Sequence, residues 1–78
     1  MRRIAILWRE VHQIENDLKE GLTHLRRTHI SAHIGRGDQG YGIFWIHENL
    51  DFVIALRLLR DLGLEAVEFP LDHAIHSG

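Results

Sequence analysis

Apolar and polar residues follow one another along this chain with a period that changes, and each change marks an element. Ile4, Ala5, Ile6, Leu7 and Trp8 form a short unbroken apolar run, the pattern of a buried central strand, and predict a strand over about 3–8. A second pattern overlaps it. Ile4, Leu7, Val11, Ile14, Leu18, Leu22 and Leu25 recur every three or four residues, as on one face of a long helix, with no breaker before Gly21. Asp17-Leu18-Lys19-Glu20 has the spacing of a capping box, with acidic residues where a helix begins. The adopted reading is a strand at about 3–8 and a helix over roughly 14–27; an unbroken helix from Arg3 to Arg27 is the alternative.

The middle of the chain switches to period two. His29, Ser31 and His33 face one way and Ile30, Ala32 and Ile34 the other, which predicts a half-buried strand. Arg36-Gly37-Asp38-Gln39-Gly40 is turn chemistry, and Tyr41 to His47, rich in aromatic and β-branched residues, is the return strand. A five-residue loop pairs Ile34 with Gly42, Ala32 with Phe44 and Ile30 with Ile46 on the core face. His33 then lies beside Ile43, Ser31 beside Trp45, and His29 beside His47. A slip by one residue would bury His47 and expel Phe44, so burial favours this register.

Helical spacing returns after Asn49, the expected N-cap, with Asp51 in the first turn. Phe52, Ala55, Leu56, Leu59 and Leu62 form the inner stripe, and Gly63 followed by Leu64 predicts a Schellman ending. Val67, Phe69 and Leu71 alternate through a last strand. Pro70 cannot donate to a ladder, which places that strand at a sheet edge. The order strand, helix, strand, strand, helix, strand predicts a single α+β domain over 1–78, a ferredoxin-like βαββαβ two-layer sandwich whose antiparallel sheet carries both helices on one face.

Composition adds constraints. A domain of 78 residues buries only roughly 60% of the surface its unfolded chain exposes and has little stability to spare. The chain has no cysteine, so disulfides and thiolate chemistry are excluded, and a partner subunit, a homodimer first of all, is the expected support. The longest apolar run is too short to cross a bilayer and lacks the cleavage site of a signal peptide, so a cytoplasmic location is expected. The net charge of −2 is unevenly spread. Residues 1–36 carry seven bases against Glu10, Glu15, Asp17 and Glu20, whereas the rest carries Arg57 and Arg60 against seven acids. The halves neutralise each other on folding, or Arg26 and Arg27 centre a basic patch for an anion.

Two families share parts of this pattern. From Asp38 onward, Gly40-Tyr41-Gly42-Ile43-Phe44-Trp45-Ile46, the amphipathic segment Asn49 to Gly63 and then Leu64 to Leu71 resemble the third strand, second helix and fourth strand of the ACT domain, an amino-acid-sensing module. The resemblance covers about half the chain. It implies a small regulatory or ligand-binding domain that works as a homodimer. Where that family has its Pro-Gly ligand turn, this chain has Arg9-Glu10-Val11-His12-Gln13-Ile14. Gln39-Gly40-Tyr41-Gly42-Ile43-Phe44-Trp45-Ile46 is also similar to the third strand of the RNA recognition motif, keeping both glycines and one stacking ring, Tyr41.

Candidate chemistry is sparse. Seven histidines raise the question of metal. His29 and His33 would stand about 13 Å apart along a strand, too far to chelate. His29 and His47, as cross-strand neighbours about 5 Å apart, are the better pair, with His73 and His76 as further candidates; solvated surface histidines, no metal and no cofactor are the expectation. No serine or threonine sits in a nucleophile elbow, and the glycines around Arg36 and Tyr41 do not open a helix, so neither an enzyme nor a phosphate cradle is expected. The informative surface is apolar. Tyr41, Ile43 and Trp45 on the outer sheet face, flanked by His29, His33 and His47, are the candidate ligand- or partner-binding residues, and Ile54 and Leu58 fall outside the stripe of the second helix. The function expected is a non-enzymatic ACT-like binding module. The alternatives are a protein-binding module or inhibitor docking through the sheet face, and a small dimeric α+β-barrel enzyme; a nucleic acid or membrane partner is not expected.

Overall fold

The N-terminal apolar run is a strand and not the start of a long helix. The structure, a computed structural model, describes residues 2–7, 14–36 and 42–69. The elements are β1 (Arg2–Leu7), α1 (Ile14–Arg27), β2 (Ala32–Arg36), β3 (Gly42–Ile46), a 3-10 turn (Asn49–Asp51), α2 (Phe52–Asp61) and β4 (Glu65–Phe69). The strands form one antiparallel sheet in the order β2-β3-β1-β4, an α+β arrangement compatible with a ferredoxin-like layout. Because β1 pairs on both sides and is covered on both faces at its centre, Ile4, Ala5 and Ile6 are all buried, which is why the run is continuously apolar. β4 pairs only with β1 and is an edge. Pro70 and Leu71, like Trp8, Tyr41, His73 and His76, lie outside the described residues. Neither described helix is long and apolar enough to cross a membrane.

Both helices lay their apolar stripes on one face of the sheet. Leu18 and Leu25 of α1, with Phe52, Ala55 and Leu59 of α2, meet Ile4, Ile6, Ala32, Phe44, Ile46 and Ala66 in one core. Gly21 lies in the middle of α1, where a side chain has no room: a Cβ there would stand 2.6 Å from Phe44 Cζ and 2.8 Å from Leu59 Cδ2. Glu15 and Asp17 occupy the first turn of α1 and His24, Arg26 and Arg27 the last, matching the helix dipole. The capping-box residues Asp17 and Glu20 therefore lie inside the helix. At the other end of the core Arg2 stacks on the Phe52 ring at 3.7 Å and pairs with Glu68 at 2.8 Å.

The two helices end alike, and this explains the first departure from the sequence reading. After α2, the Gly63 amide donates to Arg60 O at 2.9 Å and the Leu64 amide to Leu59 O at 3.3 Å, with Gly63 at φ 90°, which is the Schellman motif. After α1, the His29 amide donates to Arg26 O at 3.0 Å and the Ile30 amide to Leu25 O at 2.9 Å, with His29 at φ 63°. His29 is thus the left-handed capping residue of α1 and not a strand residue, and β2 begins only at Ala32. A histidine is an expensive occupant of that conformation. His29→Gly is expected to stabilise the domain by about 1 kcal/mol and Gly63→Ala to destabilise it by about as much, read as opposite shifts of the urea midpoint. Equal midpoints would contradict the shared cap.

The hairpin pairs Ala32 with Ile46, Ile34 with Phe44, and Arg36 with Gly42. This is two residues away from the sequence register. The loop has five residues as expected, but it is 37–41 rather than 36–40, and moving a loop by one residue slides the pairing by two. Such a slide keeps every side chain on its face, so burial alone cannot detect it. As a consequence His33 lies beside Trp45, Gly35 beside Ile43, and His29 is not opposite His47. Asn49 also differs from its expected role. It begins a 3-10 turn whose cap is Glu48, and α2 starts at Phe52 with Asp51 as its cap, neither through a side-chain bond.

Candidate functional site

The sheet face away from the helices is organised in cross-strand rows. The pairings His33 with Trp45, Trp45 with Arg3, and Arg3 with Phe69 place one residue from each strand in a line across the whole sheet. The next row is Gly35, Ile43, Ala5 and Val67. The first row is made of planar groups. His33 and Trp45 are stacked, with centroids 5.7 Å apart and planes 7° from parallel. The Arg3 guanidinium lies 5.1 Å from the Trp45 ring centre and 4.8 Å from that of Phe69. Such contacts hold a cation on ring faces. Trp45 can lean over β2 because Gly35 leaves the space: a Cβ at Gly35 would come within 3.3 Å of Trp45 Nε1.

A polar chain continues the row at its β2 end. His33 Nδ1 and His47 Nε2 are 2.7 Å apart, and His47 Nδ1 is 2.9 Å from Ser31 Oγ. The His47 amide donates to Ser31 O at 3.1 Å and extends the ladder beyond β3, which holds the two imidazoles together. Between the facing ring nitrogens one donates and the other accepts, the roles following the tautomers.

Of the residues chosen from sequence, the structure brings His33, Trp45 and His47 together. Tyr41 lies outside the described residues. His29 is exposed in the turn after α1, and Ser31 takes the place opposite His47, so His29 and His47 are not cross-strand neighbours. Ile43 is on the expected face but buried, at 6% exposure, beside Ala5 at 0%. The face is therefore not an open apolar surface at its centre, and Trp45 itself is half-buried. Arg3, Phe69 and Ser31 were missed. For Arg3 the available signal was parity, since it alternates with Ile4. For Phe69 parity gave none, because the larger apolar residues Val67 and Phe69 share a side while β4 buries the small Ala66 instead. Among the described residues no group of three or more His, Cys, Asp or Glu is placed to hold a metal ion. Arg26 and Arg27 are exposed in the last turn of α1, where the helix dipole already accounts for them.

On the sheet face away from the helices Leu7 of β1, with the parity of Arg3 and Ala5, is 38% exposed. The other large exposed apolar side chains of the described residues are elsewhere. Leu50, Val53 and Ile54, on the 3-10 turn and the outer side of α2, are 91%, 66% and 54% exposed. A shallow groove lined by Glu15, Leu18, Lys19, Ile34 and Gly35 runs between α1 and β2. No protein-family model, curated protein or solved structure matches this chain.

Proposed function

We propose that this chain is a non-enzymatic binding module of ferredoxin-like layout, ACT-like in kind, that holds a planar anionic ligand on the sheet face away from its helices. The observation that carries this reading is the row His33, Trp45, Arg3 and Phe69, which sets ring faces on either side of a guanidinium. Ring faces take the flat part of a ligand, and a guanidinium takes its anion. Both Arg3 and Trp45 are half-buried and held by neighbours, so less side-chain freedom is lost on binding. Nucleoside phosphates are the ligand class with both features. The layout is supported by the strand order, in which β1 and β3 are central and β2 and β4 are edges.

A titration tests it. In a Trp8→Phe background Trp45 is the one remaining indole of the two in the chain, and adding AMP or ATP is expected to quench its fluorescence. By calorimetry, Trp45→Ala should weaken binding roughly 5- to 150-fold, the worth of one stacked base, and Arg3→Ala should weaken ATP more than adenosine. No response to nucleotides or amino acids from a folded protein would overturn the reading. Single-stranded RNA is a second reading, favoured by the reach of the row across all four strands, which offers more than one base a platform. It predicts tighter binding of an oligouridylate of about eight nucleotides than of a mononucleotide, with a steep loss of affinity in salt.

A further inference from the structure

The geometry points to the outer side of α2 as a two-fold contact with a second copy of this chain. Leu50, in the 3-10 turn, stands three residues before Val53 and four before Ile54 of α2, the spacing of helix-surface neighbours, and all three are well exposed. They are not spare core residues: α2 buries Phe52, Ala55 and Leu59, on its opposite side. An exposed cluster of large apolar side chains on a small domain marks a contact surface.

The charges around the cluster select the occupant. Its N-terminal end carries Glu48 and Asp51, and its C-terminal end carries Arg57 and Arg60 with one acid, Asp61, so the ends differ in sign. If two copies of α2 cross antiparallel over Val53 and Ile54, Arg57 of each copy meets Glu48 and Asp51 of the other. The helix dipoles then also oppose one another. A parallel crossing would put like charges together. A surface that is acid at one end and basic at the other is complementary to itself under a two-fold axis, the commonest symmetry of homo-oligomers. Arg60 donates its Nε to Ala66 O at 2.9 Å and is turned toward its own chain, so Arg57 carries the pairing. Asp61, two turns beyond the crossing point, is four residues from Arg57 and neighbours it on the same helix. Three apolar side chains make a small interface, and the dimer is a weak one.

Sedimentation from about 1 µM to about 1 mM tests this, with thermal melts confirming that each variant folds, as exposed positions should allow. Wild type is expected to dimerise with rising concentration and Ile54→Asp to remain monomeric. Arg57→Glu alone, and Glu48→Lys with Asp51→Lys, should each weaken self-association by about tenfold or more. An equimolar mixture of these two charge variants should associate again, because in the mixed dimer both pairs are complementary. A monomeric wild type, or a mixture no better associated than its components, would overturn the proposal. So would a dimer that survives Ile54→Asp but is lost in Trp45→Ser, since that result would assign the contact to the sheet face.

Discussion

Phe44→Ala is expected to cost about 3–5 kcal/mol, as deletion of a buried aromatic ring does, against a total of about 4–12 kcal/mol for a domain of this length. Phe44 is fully buried. It lies opposite Ile4 on β1 and Ile34 on β2, and its ring reaches the backbone of α1 at Gly21. The cavity left behind cannot close easily, because β3 is hydrogen-bonded on both sides and cannot move in. In a urea titration followed by far-UV circular dichroism, the Ala variant should begin to unfold with little or no denaturant, whereas Phe44→Leu should cost only about 1–1.5 kcal/mol. A loss under about 1 kcal/mol for Phe44→Ala would mean that the residue faces outward and that β3 has the opposite parity.

That parity was legible in the sequence because it is a local property. Ile30, Ala32 and Ile34 against His33, and Phe44 and Ile46 against Trp45, separate into two faces by counting alone. Register was not legible, because a two-residue slide leaves both faces unchanged and only the start of β2 decides it. That start is decided in turn by His29. Its alternation with Ile30 suits a strand, but the capping bonds from the His29 and Ile30 amides to Arg26 and Leu25 claim it for α1. Gly63 announced the same cap openly because glycine is its usual occupant; a histidine in that role carries no such signal.

The candidate site was half legible for a related reason. His33, Trp45 and His47 belong to one hairpin, so the sequence brings them close. Arg3 and Phe69 join them only through the order β2-β3-β1-β4, which places β1 between β3 and β4; nothing local states it. The apolar exposure moved in the opposite direction. Ile43 and Trp45 were expected to lie bare, but Ile43 is buried, and Trp45 is half covered by its place over Gly35 and its contacts with His33 and Arg3. Spacing placed Ile54 outside the inner stripe, and it is exposed; Val53 could have been found in the same way, whereas Leu58, assigned beside Ile54, is half-buried against the core.

Gly21→Ala is expected to destabilise the domain even though alanine is favoured over glycine in a helix by about 1 kcal/mol. The added methyl would stand 2.6 Å from Phe44 Cζ and 3.3 Å from Phe44 Cε1, closer than packed carbons approach. Leu59 Cδ2, at 2.8 Å, can rotate aside, but the Phe44 ring is enclosed by the sheet. α1 must therefore rise from the core, at a net cost of about 1–3 kcal/mol. The contact can be isolated by a double-mutant cycle. Phe44→Leu removes the two ring carbons that the methyl strikes, so in that background Gly21→Ala should cost little, or stabilise, through helix propensity. The coupling between the two positions is then expected to be about 1 kcal/mol or more, with the substitutions compensating. Urea midpoints of the four proteins measure it. Additive effects would mean that α1 does not rest on Phe44, and a higher midpoint for Gly21→Ala alone would show the glycine to be on the outer side of the helix.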